Sequence, residues 1–216
     1  MSDAPGEDRF APYPSHYFQR YDRADDALFY AFPRKVVHID EGAIAALGTV
    51  YAEVLPRAGV LLDLMSSWRT HLPSDLAEAS ALEVVGLGLN AEELADNPQL
   101  SQYVVHDVNR EPRLPFPDAA FDGGICAVSV QYMTRPVELF ADVARVLKPG
   151  ASFLVSFSNR CFPTKAVAIW HNTTDDRHIE LVGSYFQMSG QWGPPDVRRF
   201  TPPAGDPLYV VWAARS

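Results

Sequence analysis

The chain has 216 residues, 47% of them hydrophobic, which is enough for one domain with a substantial core and leaves no clear boundary for a second. Asp and Glu outnumber Lys and Arg by 27 to 18 without any basic block, so a nucleic-acid partner is not expected. No run of about 18 apolar residues occurs, so no membrane span is predicted.

The N-terminal part predicts a leader followed by a cap. Residues 1–16 are mostly polar and proline-containing, which favours a flexible leader without the basic and apolar regions of a secretory signal. Residues 17–58 are predicted to form a helical cap. It begins with an aromatic-rich segment containing a short helix, and continues with a helix that Asp40 caps and Pro56 ends.

From residue 59 onward, apolar runs alternate with helical stretches. Five runs suit fully buried parallel strands, and they lie at 59–65, 82–88, 102–108, 121–130 and 151–158. Because strands and helices alternate, the connections are expected to be right-handed crossovers, with helices covering both faces of a parallel sheet.

The helical stretches and the C-terminal end complete the predicted fold. Helices are expected within 68–80, where Pro73 breaks or restarts the helix, and within 90–97 and 136–147, with a helical insertion near 160–188. A Pro/Gly turn between two β-rich runs predicts a C-terminal antiparallel hairpin. The prediction is therefore a three-layer α/β/α sandwich with a mostly parallel seven-stranded sheet, as one domain over 17–216.

Cysteine and histidine usage indicates no metal site. Cys126 and Cys161 lack the spacing of metal ligands and follow or lie within apolar runs, so both are predicted to be free thiols in a reducing, cytoplasmic setting. The six histidines are scattered, without the helical pair that zinc favours.

Polar and small residues gather where four of the predicted strands end. In an open α/β sheet the ligand lies beyond the carboxyl ends of the strands, near the point where strand order reverses. The candidate site residues are Asp63, Met65, Ser66, Ser67 and Trp68 after the first strand, Gly88, Leu89 and Asn90 after the second, His106, Asp107 and Val108 after the third, and Val128, Ser129, Val130, Gln131 and Tyr132 after the fourth.

The segments "LPFPDAAFD" and "ELFADVARVLKPGASFLVSF" are the most distinctive in the chain. On these residues the sequence resembles the class I methyltransferases that use S-adenosylmethionine, in particular the small-molecule "type 11" group, from about Val60 to Ser158. The resemblance implies a Rossmann-like domain, S-adenosylmethionine as the cofactor and methyl transfer to a small-molecule acceptor.

The resemblance also implies roles for the strand ends. In that family an Asp at the end of the third strand meets the adenine amino group, which places this role on Asp107, with Val108 beside the ring. Residues from Val128 to Val130 then line the other adenine face or the sulfonium side. A carboxylate accepts from an exocyclic amine, and apolar side chains enclose a flat purine. In the alternative interpretation Asp107 only caps the loop that follows.

Two places depart from the family's pattern. The first loop of the family runs acidic-x-Gly-x-Gly, whereas the chain has "DLMSSWRT", so that side chains fill the space above Asp63. At the end of the second strand the family has Asp or Glu, which holds both ribose hydroxyls, whereas here Gly88 takes that position. Both losses put cofactor binding in question.

Nearby residues offer substitutes. If a helix begins near Ser66 and Ser67, their hydroxyls and its free N–H groups can receive the carboxylate of the cofactor. Met65 and Trp68 can contact the sulfonium end, although Trp68 can equally pack in the core. Asn90 offers a donor and an acceptor to the ribose diol. Cofactor binding by a variant site is therefore the leading hypothesis.

The acceptor is expected under the cap and beside the chain that follows the fifth strand. Methyl transfer mainly requires alignment and exclusion of water, so a base is optional, and His38, Tyr132 and His171 are its candidates, each with a structural alternative. Arg34, Arg160 and Lys165 suit an acidic acceptor. The full set of candidate acceptor contacts is Tyr30, Arg34, Asn159, Arg160, Phe162 and Lys165.

Two other functions remain open. A methyltransferase-like fold that has lost transfer and acts as a binding or regulatory protein is compatible with the missing glycines and ribose carboxylate. A nicotinamide-dependent dehydrogenase is less favoured, since no Gly-x-Gly-x-x-Gly occurs. No motif indicates the acceptor atom or the oligomeric state.

Overall fold

The structure is a computed structural model that describes residues 13–78 and 81–216. Its helices are α1 (Asp26–Phe29), α2 (Glu41–Val54), α3 (Ser74–Ala77), α4 (Ala91–Ala95), α5 (Pro136–Val146), α6 (Ala168–His171) and α7 (Asp175–Ser189). Its strands are β1 (Gly59–Leu64), β2 (Leu82–Gly88), β3 (Gln102–Val105), β4 (Gly123–Ala127), β5 (Ser152–Phe157), β6 (Asp196–Phe200) and β7 (Leu208–Ala214).

The seven strands form one sheet in the order β3-β2-β1-β4-β5-β7-β6. Strands β1 to β5 run parallel, and β7 pairs antiparallel with both β5 and β6. The predicted mostly parallel sheet with a C-terminal hairpin is therefore confirmed. The register places Asp63 of β1 opposite Gly86 of β2 and Ile125 of β4, so the ends of these strands meet at one edge of the sheet.

Helices cover both faces of the sheet, which confirms the three-layer sandwich. On one face Phe140 of α5 and Phe186 of α7 pack with Phe153 of β5 in a cluster of edge-to-face aromatic rings. On the other face Leu47 of α2 packs with Ile125 of β4. Alternation along each buried strand thus supplies two separate cores.

Most predicted strands end slightly earlier in the structure, and local backbone geometry explains this. Met65 has φ +57° and Val128 has φ +43°, so each turns the chain out of its strand into a left-handed conformation. After β3, the Asp107 carboxylate accepts hydrogen bonds from the backbone N–H groups of Asn109 and Arg110, which closes a tight turn.

The expectation that every parallel strand is fully buried was wrong for β3. Tyr103 and Val105 are 44% and 52% exposed, because β3 lies at the edge of the sheet and pairs with β2 alone in the described part of the chain. An apolar run does not by itself distinguish an edge strand from a central one. β3 is therefore more exposed to solvent than its apolar residues predict.

The helix expected within 68–80 is reduced to one turn. α3 begins only at Ser74, and residues 79 and 80 lie outside the described residues. The expectation of a helix start near Ser66 and Ser67 was therefore wrong, and these residues belong to an irregular loop that His71, with φ +63°, bends once more. The helices predicted within 90–97 and 136–147 are present as α4 and α5.

The N-terminal segment packs along the domain as far as it is described. Residues 1–12 of the predicted leader lie outside the described residues, whereas Tyr13 donates a hydrogen bond to Ser184 on α7. The Asp40 carboxylate accepts from the N–H of Ala43, which confirms the predicted cap of α2. Over residues 13–78 and 81–216, we find no helix with the length and apolar composition needed to span a bilayer.

Candidate active site

A cleft opens at the carboxyl ends of β1 to β4, where the strand order reverses between β1 and β4. Loops after these four strands form its floor, and the N-terminal segment and Phe162 form its roof. The predicted residues that line it are Tyr30, Arg34, His38, Asp63, Met65, Ser66, Ser67, Trp68, Gly88, Leu89, Asn90, His106, Asp107, Val108, Val128, Ser129, Tyr132 and Phe162.

Six predicted residues do not line this cleft, including His171, which is described below, and Gln131, which is buried with 1% of its surface exposed. Val130 is buried in the core, with 2% of its surface exposed. Lys165 is completely buried, and its ammonium group belongs to an ion-pair cluster below the cap. Arg160 is exposed and pairs with Asp206 at 2.9 Å, and its neighbour Asn159 is also exposed. Of the three cations considered for an acidic acceptor, only Arg34 lines the cleft.

The loop after β1 folds directly onto the end of β2. Met65 lies two residues after Asp63 and adopts the left-handed backbone that glycine adopts without strain. Ser66 then donates its N–H to the carbonyl of Leu87, which places its own carbonyl oxygen 2.2 Å from where a Cβ at Gly88 would lie. No side chain fits at position 88 while the loop has this conformation. The two departures from the family's pattern are thus one structural change.

Asp63 anchors the same loop from below. It is 2% exposed, and one of its carboxylate oxygens accepts hydrogen bonds from the hydroxyls of Ser66 at 2.6 Å and Thr70 at 2.8 Å. Burial raises the pKa of Asp63 to about 6, and the two hydroxyls only partly offset this effect. Asn97 donates to Thr70 and to the carbonyl of Ser67, so the loop is held at several points.

Glu93 is the carboxylate that faces the cleft near the end of β2. One oxygen accepts from the Ser67 hydroxyl at 2.5 Å, and the other accepts from the backbone N–H of Arg34. Asn90 uses its carbonyl to cap α4 at Glu93 and its amide to donate to the carbonyl of Tyr30. Both polar atoms of Asn90 are therefore engaged within the protein, whereas each Glu93 oxygen keeps a second acceptor position.

Asp107 and Val108 stand at the far end of the cleft, after β3. One carboxylate oxygen of Asp107 serves the turn to Asn109 and Arg110, and the other has no hydrogen bond within the described residues. Val108 is 5% exposed and Val128 is 6% exposed, so both present small apolar surfaces to the cleft. This combination suits a flat ring with an exocyclic amine.

A buried charge cluster fixes the cap over the cleft. Asp26 is 4% exposed and pairs with Arg20 at 2.8 Å and with Lys165 at 3.0 Å. Asn109 donates to the same Asp26 carboxylate and to the carbonyl of Tyr132, joining the cap to the loops after β3 and β4. The buried Asp26 and its hydrogen bond with Asn109 therefore connect the roof of the cleft to its floor.

The candidate bases differ in their ionisation. The half-buried His38 ring lies edge-on to Phe162 at 4.9 Å, and burial lowers its pKa while Glu93 acts in the opposite direction. His38 is thus neutral near pH 7 and able to accept a proton. Burial raises the pKa of Tyr132 to about 12, and its oxygen accepts from the N–H of Phe162. His171 lies outside the cleft lining, with its ring against the carbonyl of Pro163.

Several cleft residues were missed from the sequence. Glu93 stands three residues after the Asn90 cap, a spacing that predicts an acidic side chain folded back onto the helix start rather than one that reaches Ser67. Asn109 follows Asp107 in a loop with no motif of its own. The remaining missed residues that line the cleft are Asp26, Val36, Arg69, His71 and Ala127.

Comparison with known proteins agrees with this architecture. The family model described as "Methyltransferase domain" matches residues 70–155. The methyltransferase phqN of Penicillium fellutanum is 34% identical over 84 residues, which are 36% of this chain and 26% of that protein. Residues 70–155 of the chain are therefore similar in sequence to methyltransferase domains.

Solved structures share the fold of this chain at low sequence identity. Phosphoethanolamine N-methyltransferase 2 of Haemonchus contortus, solved with S-adenosylhomocysteine and phosphomonomethylethanolamine, has a TM-score of 0.58 at 13% identity, over 88% of this chain and 56% of that chain. The [4+2]-cyclase SpnF has a TM-score of 0.57 at 15% identity, over 79% of this chain and 80% of that chain. The chain spans only part of phqN and about half of the Haemonchus enzyme.

Proposed function

We propose that the protein transfers a methyl group from S-adenosylmethionine to a small-molecule acceptor. The observation that carries the proposal is the cleft at the switch point of the sheet, with the unpartnered Asp107 oxygen and the apolar Val108 and Val128 at one end. The free Cys126 and Cys161 are compatible with a reducing compartment, and we place the protein in the cytoplasm.

In this proposal adenine occupies the end of the cleft after β3. Asp107 accepts from the exocyclic amine through the oxygen that the turn does not use, and Val108 and Val128 contact the ring faces. Leu89 lines the same end. The aspartate thus serves both interpretations of the sequence, since one oxygen caps the loop and the other is available to the ligand.

Glu93 takes the role of the carboxylate that holds the ribose hydroxyls in the family, a role that Gly88 cannot fill. It lines the cleft from α4, one helical turn beyond the end of β2, and both of its oxygens retain acceptor capacity for the ribose hydroxyls. The engaged Asn90 then holds α4 and Tyr30 in place instead of contacting the sugar. Met65, Ser66 and Ser67 form the wall beside the amino-acid part of the cofactor.

The bound cofactor supplies an electrophilic methyl group on a sulfonium centre. The chain's own contribution is alignment and exclusion of water, for which the roof of Tyr30, Tyr132 and Phe162 is suited. Where the acceptor carries a proton, neutral His38 takes it at a ring nitrogen. Tyr132 positions Phe162 by accepting its N–H and stays protonated.

Thermal unfolding of the purified protein with millimolar S-adenosylmethionine, S-adenosylhomocysteine or NAD tests the proposal. We expect both sulfur compounds to raise the melting temperature by mass action, and NAD to leave it unchanged. A shift with NAD alone would favour a dehydrogenase. No shift with either sulfur compound, together with no calorimetric heat, would reject methyl transfer.

The second candidate is a catalytically inactive binding or regulatory protein. It is favoured by the loop after β1, where Met65 and Ser66 stand in place of the family's glycines and the Ser66 carbonyl lies against Gly88. The same thermal unfolding measurements separate the two candidates, because an inactive binding or regulatory protein need not be stabilised by S-adenosylmethionine or S-adenosylhomocysteine. Replacing Met65 with Gly would then be expected to leave the protein equally unresponsive.

A further inference from the structure

We propose that Arg34 binds a carboxylate of the methyl acceptor, so that the acceptor class is a small carboxylic acid with an aromatic or similarly flat body. The inference rests on the proposed function and deepens it. Arg34 lines the cleft, and its planar guanidinium matches the geometry of a carboxylate.

The surroundings of Arg34 leave its charge unmatched. Its guanidinium carbon lies 4.0 Å from the ring centre of Phe29 and 5.6 Å from that of Phe162. One terminal nitrogen donates to the carbonyl of Phe29, whereas the buried Nε has no hydrogen-bond partner. Within the described residues Arg34 makes no ion pair. The other terminal nitrogen makes no hydrogen bond within the described residues, so a ligand carboxylate in the cleft can accept from it.

The carboxylates that line the cleft near Arg34 do not pair with its guanidinium in the described part of the chain. Asp26 is paired with Arg20 and Lys165, and Asp63 is held by hydroxyls beneath the β1 loop. Glu93 accepts from the backbone N–H of Arg34 and not from its guanidinium. The cation is therefore fixed in the roof by aromatic stacking and a main-chain bond, with its own anion still to be supplied.

The aromatic lining indicates the body of the acceptor. Phe162 contacts the Arg34 guanidinium, the His38 ring at 4.9 Å and the Tyr132 ring at 6.1 Å, so these groups surround one side of the cleft. Tyr132 follows β4 and Phe162 follows β5. A flat acid anchored at Arg34 would lie against Phe162, with His38 near its proton-bearing group.

Matched acid and amide pairs test the inference. The probes are benzoate, salicylate, 4-hydroxybenzoate and indole-3-acetate, each compared with its primary amide by ligand-observed NMR and calorimetry, with and without S-adenosylhomocysteine. We expect at least one acid to bind the wild type about tenfold or more tighter than its amide. Arg34→Gln should remove this preference, and Arg34→Lys, which keeps the charge without the planar fork, should fall between.

Arg23→Gln is the matched control, because Arg23 is exposed on the same segment and lies outside the cleft lining. It should retain the acid preference. S-adenosylhomocysteine and 5′-methylthioadenosine, which lacks the amino-acid carboxylate, are titrated against each folded variant. Equal loss of acid preference in both variants, an acid preference that survives Arg34→Gln, or no preference in the wild type would overturn the inference.

The titrations also separate the two proposals. If Arg34→Gln weakens S-adenosylhomocysteine but not 5′-methylthioadenosine, Arg34 holds the cofactor's carboxylate and the acceptor role is overturned. If the wild type binds S-adenosylhomocysteine but prefers no acid, only the acceptor inference fails. If it prefers an acid but binds neither adenosyl compound, methyl transfer fails, and with it the assignment of that acid as a methyl acceptor.

Discussion

Met65 occupies a backbone conformation that costs most residues about 1 kcal/mol or more, and glycine almost nothing. Since the side chain also packs against the core, Met65→Ala and Met65→Gly both lose that contact. We expect the Gly variant to be more stable than the Ala variant by about 1 kcal/mol, which reverses the usual order of these residues. Urea unfolding of the pair measures this. An Ala variant as stable as the Gly variant would contradict the left-handed geometry.

Gly88, at the end of the neighbouring strand β2, lies against the same loop. Gly88→Ala would bring a Cβ against the Ser66 carbonyl, and we expect a loss of about 2 kcal/mol in the free energy of unfolding. Gly183→Ala on α7 is the matched control, because its Cβ would lie 3.8 Å from Pro195 and should stabilise the helix by about 1 kcal/mol. Equal effects of the two substitutions in urea unfolding would disprove the close approach at Gly88.

Asp63 is expected to make stability depend on pH. Its folded-state pKa of about 6 lies above the unfolded value near 4, so the folded protein holds the proton more tightly. The stabilisation from the protonated form is complete below the unfolded pKa and is lost as pH rises through about 6. As the pH rises from about 4 to about 6.5, the free energy of unfolding of the wild type should therefore fall relative to that of Asp63→Asn. Parallel pH profiles for the two proteins would contradict this assignment.

At the scale of elements, the cap depends on the charge cluster around Asp26. Lys165→Met would leave the Asp26 carboxylate buried with one cation fewer, and such a loss typically costs about 3–5 kcal/mol. We expect faster hydrogen exchange in residues 17–32 while the strand amides stay protected. Arg177→Gln removes an ion pair on α7 whose two partners are both exposed, and it should change exchange little. A cap that exchanges equally in both variants would show that the cluster does not hold it.

The regular elements were predictable because each one has a local cause. Asp40 caps α2, and apolar runs with Pro/Gly punctuation mark the central strands and the hairpin. The one-turn α3 and the exposed β3 were not predictable in this way. Their lengths and burial depend on neighbours distant in sequence, such as the contact between the β1 loop and Gly88.

The candidate site was predictable in position and less so in its contacts. Strand ends indicated most of the cleft, since the carboxyl ends of parallel strands meet at one edge. Side-chain partners depend on the tertiary fold. The hydrogen bond from Asn90 to the Tyr30 carbonyl and the position of Glu93 in the cleft lining therefore had no sequence signal beyond a capping pattern. Lys165, by the same argument, turned out to be a buried partner of Asp26.

For the whole molecule, the segment that is similar to methyltransferase domains includes only the end of the loop after β1. The matched residues 70–155 run from the end of the β1 loop into β5, whereas Met65, Ser66 and Ser67 lie before them. The cap, the charged members Arg20, Asp26 and Lys165 of the cluster, and Tyr30 and Phe162 of the roof lie outside the matched residues. The proposed function therefore depends on whether the loop after β1 and Glu93 together accept S-adenosylmethionine.

Calorimetric titration of S-adenosylhomocysteine into the wild type, Asp107→Ala and Asn90→Ala tests that question most directly. The account predicts binding by the wild type, a loss of about tenfold or more for Asp107→Ala, and a smaller loss for Asn90→Ala, whose side chain is engaged within the protein. No binding by the folded wild type would contradict the proposed function. A larger loss for Asn90→Ala than for Asp107→Ala would contradict the placement of adenine and ribose.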